Sequence, residues 1–113
     1  MLENINDNSK VEIFRLQAEF CKCISNHTRL QIIHELRNAE RSVSELAESL
    51  GMKPSATSRH LAVLRKASVI ASRREYLTVY YSLIDPKIVE ACDLVFEVIA
   101  RQAQRTNHVV GSQ

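Results

Sequence analysis

The sequence lacks the features that would place it in a membrane or outside the cell. No apolar run approaches the roughly 18 residues that a membrane-spanning helix requires. The polar, partly acidic start MLENINDNSK is neither a secretory signal nor an Arg-rich transit peptide. The three cysteines are odd in number and have no framework spacing, which disfavours a secreted disulfide scaffold. We therefore expect a cytoplasmic protein with no membrane partner.

Catalytic motifs are also missing. The sequence has no glycine-rich phosphate loop, no ordered Ser/His/Asp set and no paired carboxylates in a pocket-forming pattern. Glu45 and Glu48 are predicted to lie on a helix surface, and the candidate nucleophiles lack a neighbouring base. We expect that the protein is not an enzyme.

Acidic residues are absent from one long segment. Residues 51–74 contain six basic residues and no acidic one, whereas residues 1–50 carry eight acids against six bases and residues 75–113 five against three. A basic block in an otherwise acidic chain is typical of a phosphate-binding face, although a solvated helix face would have the same composition. The net charge of +2 alone would not indicate nucleic acid.

What is present indicates one small domain of 113 residues, 45% of them hydrophobic. Residues 1–8 are predicted to form a flexible arm, 9–104 the domain, and 105–113 a flexible tail. Apolar residues at helical spacing predict a first helix from about Ser9 to Lys22. Ser25 or Asn26 can cap a second helix, which the polar residues 37–41 end.

Two further helices follow with a very short connection. Ser42 and Glu45 have the spacing of a capping box, and Gly51 is suited to the left-handed end of that helix. Pro54 suits the first position of the next helix, where no amide hydrogen is needed. This arrangement is typical of a helix-turn-helix, whose second helix enters the major groove of DNA. Its apolar residues Leu61, Val63 and Leu64 are predicted to face the core, with polar residues on its N-terminal side: Ser55, Thr57, Ser58 and Arg59.

A β-hairpin and a last helix complete the pattern. Residues 70–75 and 78–83 are β-prone and flank Tyr76 and Leu77, although this tip lacks the Gly or Asn that a tight turn prefers. From Asp85 a final helix carries a wide apolar side. The fold class is therefore mainly α with a β-hairpin wing, a winged helix-turn-helix. The terminal helices hold more apolar residues than one small core can bury, so we expect a homodimer through them.

Three blocks of the sequence resemble the ArsR/SmtB family of metalloregulatory repressors: NHTRLQIIHEL, SVSELAESLGMKPSATSRHLAVLRKASVIASRRE and VYYSLIDPKIVE. The resemblance covers about residues 9–104. It implies a cytoplasmic homodimer that occupies double-stranded palindromic operator DNA and leaves when an inducer binds. Ser68, where the family commonly has Gly, and the Gly-free wing depart from the pattern.

The candidate DNA contacts combine the resemblance with the basic segment. The resemblance places residues 55–60 in the recognition helix, while the wing position would bring two arginines to phosphates or the minor groove. The full predicted set is Lys53, Ser55, Thr57, Ser58, Arg59, His60, Arg65, Lys66, Arg73 and Arg74.

The family's two common metal sites are predicted to be absent. Aligning Asp85 with the first ligand of the site on the last helix puts Lys87, Val98 and about Arg101 at the others, and Lys and Val are unsuitable ligands. The Cys-x-Cys site before the recognition helix corresponds to residues 42–44, which contain no thiol. The metal ligands therefore remain unknown.

The cysteines are candidate sensors at other positions: Cys21, Cys23 and Cys92. Residues spaced i, i+2 on a helix point about 200° apart, so the first two meet only if the helix ends between them. Three thiolates suit a soft ion such as arsenite, while a pair could form a regulatory disulfide or polysulfide bridge. Alternatively, these small side chains simply pack and the signal is another ligand.

The histidines are not spaced for a zinc pair. His34 is expected at a surface or interface, His60 at a phosphate or packed against the turn, His27 near a helix start, and His108 in the tail.

A winged helix used only for protein contacts remains the rival to a DNA-binding regulator. The sequence favours DNA, because a protein-binding module has no need to exclude acids from residues 51–74.

Overall fold

The computed structural model describes residues 6–106 as a bundle of helices with a small antiparallel sheet. The elements in chain order are α1 (Asp7–Ile24), α2 (His27–Glu35), β1 (Arg41–Ser42), α3 (Val43–Leu50), α4 (Pro54–Lys66), β2 (Ile70–Glu75), β3 (Thr78–Leu83) and α5 (Lys87–Arg105). The predicted order of helices and hairpin is confirmed, and β1 is an addition that the sequence did not indicate. None of the described helices combines the length and apolar character needed to span a bilayer.

The first helix begins earlier than predicted. The Asn6 side chain accepts a hydrogen bond from the Ser9 amide at 2.8 Å and so caps α1. Asp7 and Asn8 are therefore helical, and the prediction that they belong to a flexible arm is wrong. Residues 1–5 of that arm, and residues 107–113 of the predicted tail with His108, lie outside the described residues.

Predicted local signals start the next helices. Of the two candidate caps of α2, Asn26 is the one used, and it accepts from the amides of Thr28 and Arg29 at 2.9 and 3.1 Å. At α3 both halves of the capping box form: the Glu45 amide donates to the Ser42 hydroxyl at 3.2 Å, and the Ser42 amide donates to the Glu45 carboxylate at 2.9 Å. These caps satisfy amides that have no partner within the helix.

The turn between α3 and α4 also follows its sequence signals. Gly51 ends α3 with a φ of 65°, a conformation that a residue without Cβ adopts at little cost. Pro54 then occupies the first turn of α4, as predicted. The connection is so short that α3 and α4 are held as a helix-turn-helix.

The sheet has the strand order β1–β3–β2, with both pairs antiparallel. The hairpin has the predicted bounds and pairs Glu75 with Thr78, so only Tyr76 and Leu77 lie at its tip. Tyr76 adopts a φ of 57°, which explains how the tip turns without Gly or Asn. The short β1 pairs with the middle of β3 and attaches the wing to the segment before α3.

The core lies between α2, α3, α4 and the start of β2. Leu61 and Leu64 of α4 are completely buried, as predicted, whereas Val63 is 39% exposed and the prediction that it faces the core is wrong. Its position on α4 is rotated by about 100° from Leu64, which puts it at the edge of the buried side. The remaining buried hydrophobic residues of the core are Ile32, Ile33, Leu36, Leu46, Val69, Ile70 and Val89.

The C-terminal end of α4 contains a left-handed serine. Ser68 has a φ of 62°, its amide donates to the Arg65 carbonyl at 3.0 Å, and the Val69 amide donates to the Leu64 carbonyl at 3.0 Å. This pair of bonds is the Schellman ending, in which Gly is the usual residue at the left-handed position.

We predict that Ser68→Gly stabilises the protein by roughly 0.5–1 kcal/mol. The substitution removes the cost of about 1–2 kcal/mol that a residue with a Cβ incurs in the left-handed conformation. Against this, glycine gives the unfolded chain more backbone entropy, which disfavours folding by about 0.5–1 kcal/mol. Urea denaturation at one fixed protein concentration would measure the midpoint. Ser68→Ala is the control, because it keeps a Cβ and should not raise the midpoint. A glycine variant no more stable than the alanine variant would contradict the assignment of strain.

Candidate nucleic-acid interface and inter-helix groove

The N-terminal half of α4 presents a polar surface beside the helix-turn-helix. Ser55, Ser58 and Arg59 are exposed, while Leu61 and Leu64 anchor the helix in the core. Ser55 and Arg59 are one helical turn apart and therefore share a side of α4. The geometry leaves these small hydroxyl groups and one guanidinium free to approach a partner closely.

Thr57 does not belong to this surface. It is completely buried, and its hydroxyl donates to the Lys53 carbonyl at 3.1 Å. The expectation that Thr57 contacts DNA is therefore wrong; its side chain joins the core and closes the first turn of α4. The sequence did not indicate the burial of Thr57, because the size and polarity of a threonine side chain suit both a buried and an exposed position.

His60 faces α2 instead of the exposed side of α4. Its Nδ1 accepts a hydrogen bond from Arg29 Nε at 3.3 Å, and Arg29 also donates to the Cys23 carbonyl at 2.7 Å. Burial, followed by the positive charge of Arg29, Arg59 and His27, lowers the pKa of His60. The lowered pKa favours the neutral ring, whose Nδ1 accepts the bond from Arg29, and this contact positions α4, in line with the packing alternative. Arg29, which ties α1 and α2 to α4, was missed by sequence reasoning.

The other basic residues of segment 51–74 remain largely exposed. Lys66 lies seven residues after Arg59 and so nearly shares its side of α4. Arg65 and Lys66 also border a shallow surface pocket between the end of α4 and the start of β2. The exposed cations that could meet phosphates are Lys53, Arg59, Arg65, Lys66 and Arg74.

Arg73 is exposed, but its guanidinium is paired with neighbouring side chains of the same chain. Its guanidinium donates to the Glu40 carboxylate from both Nε and a terminal nitrogen, and to Glu75 at 3.1 Å. It also lies 4.9 Å from the centroid of the Tyr80 ring. The hydrogen bond with Glu40 is the largest cause that raises the pKa of Arg73, and its counterpart lowers the pKa of Glu40. The expectation of a free phosphate-binding Arg73 therefore does not fit its surroundings. Glu40 lies 33 residues away, so the sequence gave no signal of the pair.

An apolar inter-helix groove of about 550 Å³ lies between α1, α2 and α5. We call it the α1–α5 groove; its lining includes Phe20, Cys21, His34, Cys92 and Phe96. The structure thus brings two of the three sensor candidates to one surface. Burial is the main cause that raises the pKa of the Cys92 thiol, with additional contributions from Asp93 and Cys21.

Cys23 is directed elsewhere. Its sulfur lies 3.8 Å from the Val63 carbonyl of α4, because α1 continues to Ile24 and turns Cys21 and Cys23 to different sides. The condition under which both could bind one ion, a helix end between them, is not met. Within residues 6–106 no group of three or more His, Cys, Asp or Glu side chains is placed to hold a metal ion.

A polar cluster joins α5 to α2 at the edge of the groove. Arg37 donates to both carboxylate oxygens of Asp93, at 2.8 and 2.7 Å, and its terminal nitrogen lies 2.6 Å from His34 Nδ1. The hydrogen bond from Arg37 is the main cause that lowers the pKa of Asp93. The His34 ring meets Phe96 edge to face with centroids 6.0 Å apart. His34 is thus at a surface edge, where the sequence placed it.

Comparisons with known proteins agree with this architecture. Residues 26–72, which contain the helix-turn-helix, match the model of the bacterial regulatory protein, arsR family. The chain is 38% identical over 90 residues to a protein of Mycobacterium tuberculosis (strain ATCC 25618 / H37Rv) described as an uncharacterized HTH-type transcriptional regulator, covering 79% of each chain. It is 32% identical over 103 residues to the transcriptional activator HlyU of Vibrio cholerae, covering 91% of each.

A solved structure adds the fold. The homodimeric winged helix-turn-helix DNA-binding domain from Mycobacterium bovis, described as a possible ArsR-family regulator, superposes with a TM-score of 0.76 at 26% identity, covering 88% of this chain and 93% of that one. The winged helix-turn-helix prediction is confirmed. These relatives are regulators of transcription, which also confirms that the chain is not an enzyme. From the shared sequence and fold we conclude that this chain belongs to the arsR family of bacterial regulatory proteins.

Proposed function

We propose that this chain is a transcriptional repressor that binds palindromic double-stranded DNA as a homodimer. The observation that carries the proposal is the exposed side of α4, where Ser55, Ser58 and Arg59 lie within a segment, residues 51–74, that has six basic residues and no acidic one. An α-helix fits the major groove, and small hydroxyl residues permit close approach to base edges. Arg59 is the side chain suited to chelate a guanine.

The remaining exposed cations serve as phosphate ligands in this proposal. Lys53 precedes α4, Lys66 lies near its C-terminal end, and Arg74 lies on β2 near the wing tip. Contacts to phosphates position a protein on the duplex without reading its sequence. The proposal thus separates one base-reading arginine from several positioning cations.

The terminal helices support a homodimer. Within the protomer α1 has no buried residue and α5 has one, Val89. Large apolar side chains are exposed along both helices, including Phe14 at 67%, Val95 at 62% and Phe96 at 63%. The radius of gyration is 16.6 Å, against about 13 Å for a compact chain of this length, because these helices extend from the core. A second copy would cover both helices and place two α4 helices along one duplex.

The signal is proposed to act on thiols at the same helices. Cys21 is exposed and Cys92 half-buried, and both line the α1–α5 groove. In the redox form, two thiols give up two electrons and two protons to an oxidant such as hydrogen peroxide, forming one disulfide and two waters. Because Cys21 is exposed and Cys92 is half-buried, Cys21 is the better candidate for first attack on the oxidant. Arsenite coordination by these thiolates is the alternative chemistry.

Two other possibilities remain distinct. The cysteines could only pack, in which case the signal is a different ligand and neither arsenite nor an oxidant releases DNA. The module could instead bind proteins, in which case its affinity for duplex DNA would lack the steep salt dependence of counterion release.

We predict that Arg59→Ala lowers affinity for the preferred duplex by about 1–3 kcal/mol and relaxes the preference at one base pair. Arg74→Ala should weaken preferred and random DNA alike and reduce the salt slope by about one. Fluorescence anisotropy on a duplex selected from a random pool would measure both. Arg105→Ala, which removes a charge at the far end of α5, is the control. Equal losses on both DNAs for Arg59→Ala would contradict base reading.

We predict that Val95→Glu converts the dimer to a folded monomer with a roughly 100-fold or greater loss of DNA affinity, because two linked modules bind far more tightly than one. Val95 lines the α1–α5 groove and is exposed in the protomer, so the substitution spares the core. Sedimentation equilibrium would give the mass. Gln104→Glu, on the opposite side of α5, should remain dimeric. A dimeric Val95→Glu variant would place the interface elsewhere.

We predict that Cys92→Ser abolishes release from DNA by arsenite and by hydrogen peroxide, while the reduced protein keeps its DNA affinity. Cys23→Ser is the matched control, because Cys23 faces α4 and not the groove. Anisotropy during titration, with mass spectrometry of the thiols, would follow release. An unchanged response in Cys92→Ser would remove Cys92 from the sensor, and a lost response in Cys23→Ser would contradict the pairing.

A further inference from the structure

The tip of the wing, formed by Tyr76 and Leu77, carries no charge and is almost fully exposed to solvent. Tyr76 and Leu77 are 92% and 95% exposed, more than any other large apolar residue in the described part of the chain. They form the two-residue connection between Glu75 and Thr78, with Tyr76 held at a φ of 57°. If the connection served only to reverse the chain, Asn-Gly would form it at a lower conformational cost. The turn alone therefore does not explain why Tyr76 and Leu77 occupy these positions.

The two arginines on β2 nearest the tip, Arg73 and Arg74, differ in whether their guanidinium groups are already paired within the protein. Arg73 is engaged by Glu40, Glu75 and the Tyr80 ring, so two carboxylates outweigh its charge. Arg74 points to the other face of the strand and is exposed. The wing thus has one unpaired arginine available to phosphates, and the two residues at its tip carry no charge.

The Glu40–Arg73 pair also fixes where the wing points. Glu40 precedes β1, β1 pairs with β3, and Arg73 lies opposite Tyr80 in the β2–β3 register. The hairpin is therefore attached to the body of the protein by strand pairing at its base and by an ion pair partway along it. An apolar tip on a braced hairpin reaches a fixed place relative to α4.

We propose that the wing meets DNA through an uncharged contact, in which Tyr76 and Leu77 lie against the deoxyribose walls of the minor groove, and that Arg73 and Glu40 are positioning residues and not phosphate ligands. This inference rests on the proposed DNA-binding function. Apolar side chains that enter the minor groove contact sugars and base edges and can open easily deformed steps. DNA is the favoured partner because segment 51–74, with its six cations, ends two residues before Tyr76.

The contact is distinguishable from a cationic one by its salt dependence. Replacing an apolar contact lowers affinity but releases no fewer counterions, so the salt slope stays the same. Replacing a phosphate ligand lowers the slope by about one. The proposal therefore predicts an unchanged salt slope when Tyr76 and Leu77 are replaced and a lower slope when Arg74 is replaced. For Arg73 it predicts an unchanged slope, as for the two tip residues.

The test uses the full-length protein and a duplex that the wild type has selected from a random pool. The Tyr76→Ala/Leu77→Ala variant should bind about tenfold or more weakly, with the wild-type salt slope. Hydroxyl-radical footprinting, which reports deoxyribose exposure in the minor groove, should lose protection only at the positions beneath the wings. Both side chains are more than nine-tenths exposed, so the variant should keep the wild-type melting temperature.

The positioning role is tested by Arg73→Ala, Glu40→Gln and their combination. Each single variant should weaken binding without lowering the salt slope, and the double variant should be no weaker than Arg73→Ala alone. Arg74→Ala, with its lower slope, is the matched control.

Three results would overturn the inference: unchanged affinity and footprint for the tip variant, a slope lowered by about one in Arg73→Ala, or additive losses in the double variant. Failure of the wild type to select any duplex would instead contradict the proposed DNA-binding function.

Discussion

The burial of one side of α4 is the constraint on which the rest of the structure depends. Leu61 and Leu64 are completely excluded from solvent, and Thr57 is buried on the same helix. Because a helix repeats every 3.6 residues, fixing this side also fixes which residues face outward, among them Ser55 and Arg59. The elements α2, α3 and β2 supply the other walls of this small core. The exposed surface of α4 is therefore a consequence of how its opposite side packs.

The links from the terminal helices to α4 are few and identifiable. Arg29 bonds both the Cys23 carbonyl of α1 and His60 of α4, and the Cys23 sulfur lies beside Val63. On the other side, Arg37 ties Asp93 of α5 to α2. These contacts connect both terminal helices to α2 and, through Arg29 and Cys23, connect α1 and α2 to α4.

Sequence reasoning succeeded where a feature is local and failed where it depends on distant packing. The hairpin bounds, the Ser42–Glu45 box and the Gly51 turn involve residues within a few positions of one another, and each appears in the structure. Val63 was predicted to be buried because it is apolar and adjoins Leu64. Helical periodicity shows which side of α4 is buried, but it does not show how far around the helix the buried surface extends. Thr57 was assigned to the surface because it is polar, although an internal hydrogen bond to Lys53 removes the cost of burying its hydroxyl.

The sequence by itself determined the order of the helices, the bounds of the hairpin and the concentration of cations in residues 51–74, because the signals for them (caps, glycine conformations, β-prone runs and charge counts) act over a few residues. Only the tertiary structure decided what individual side chains are available to do. It paired Arg73 with Glu40, brought Cys21 and Cys92 to one groove, and turned Cys23 away from them. Ion pairs and shared cavities depend on distances of a few ångströms between segments far apart in the chain, and those distances exist only once the core has packed.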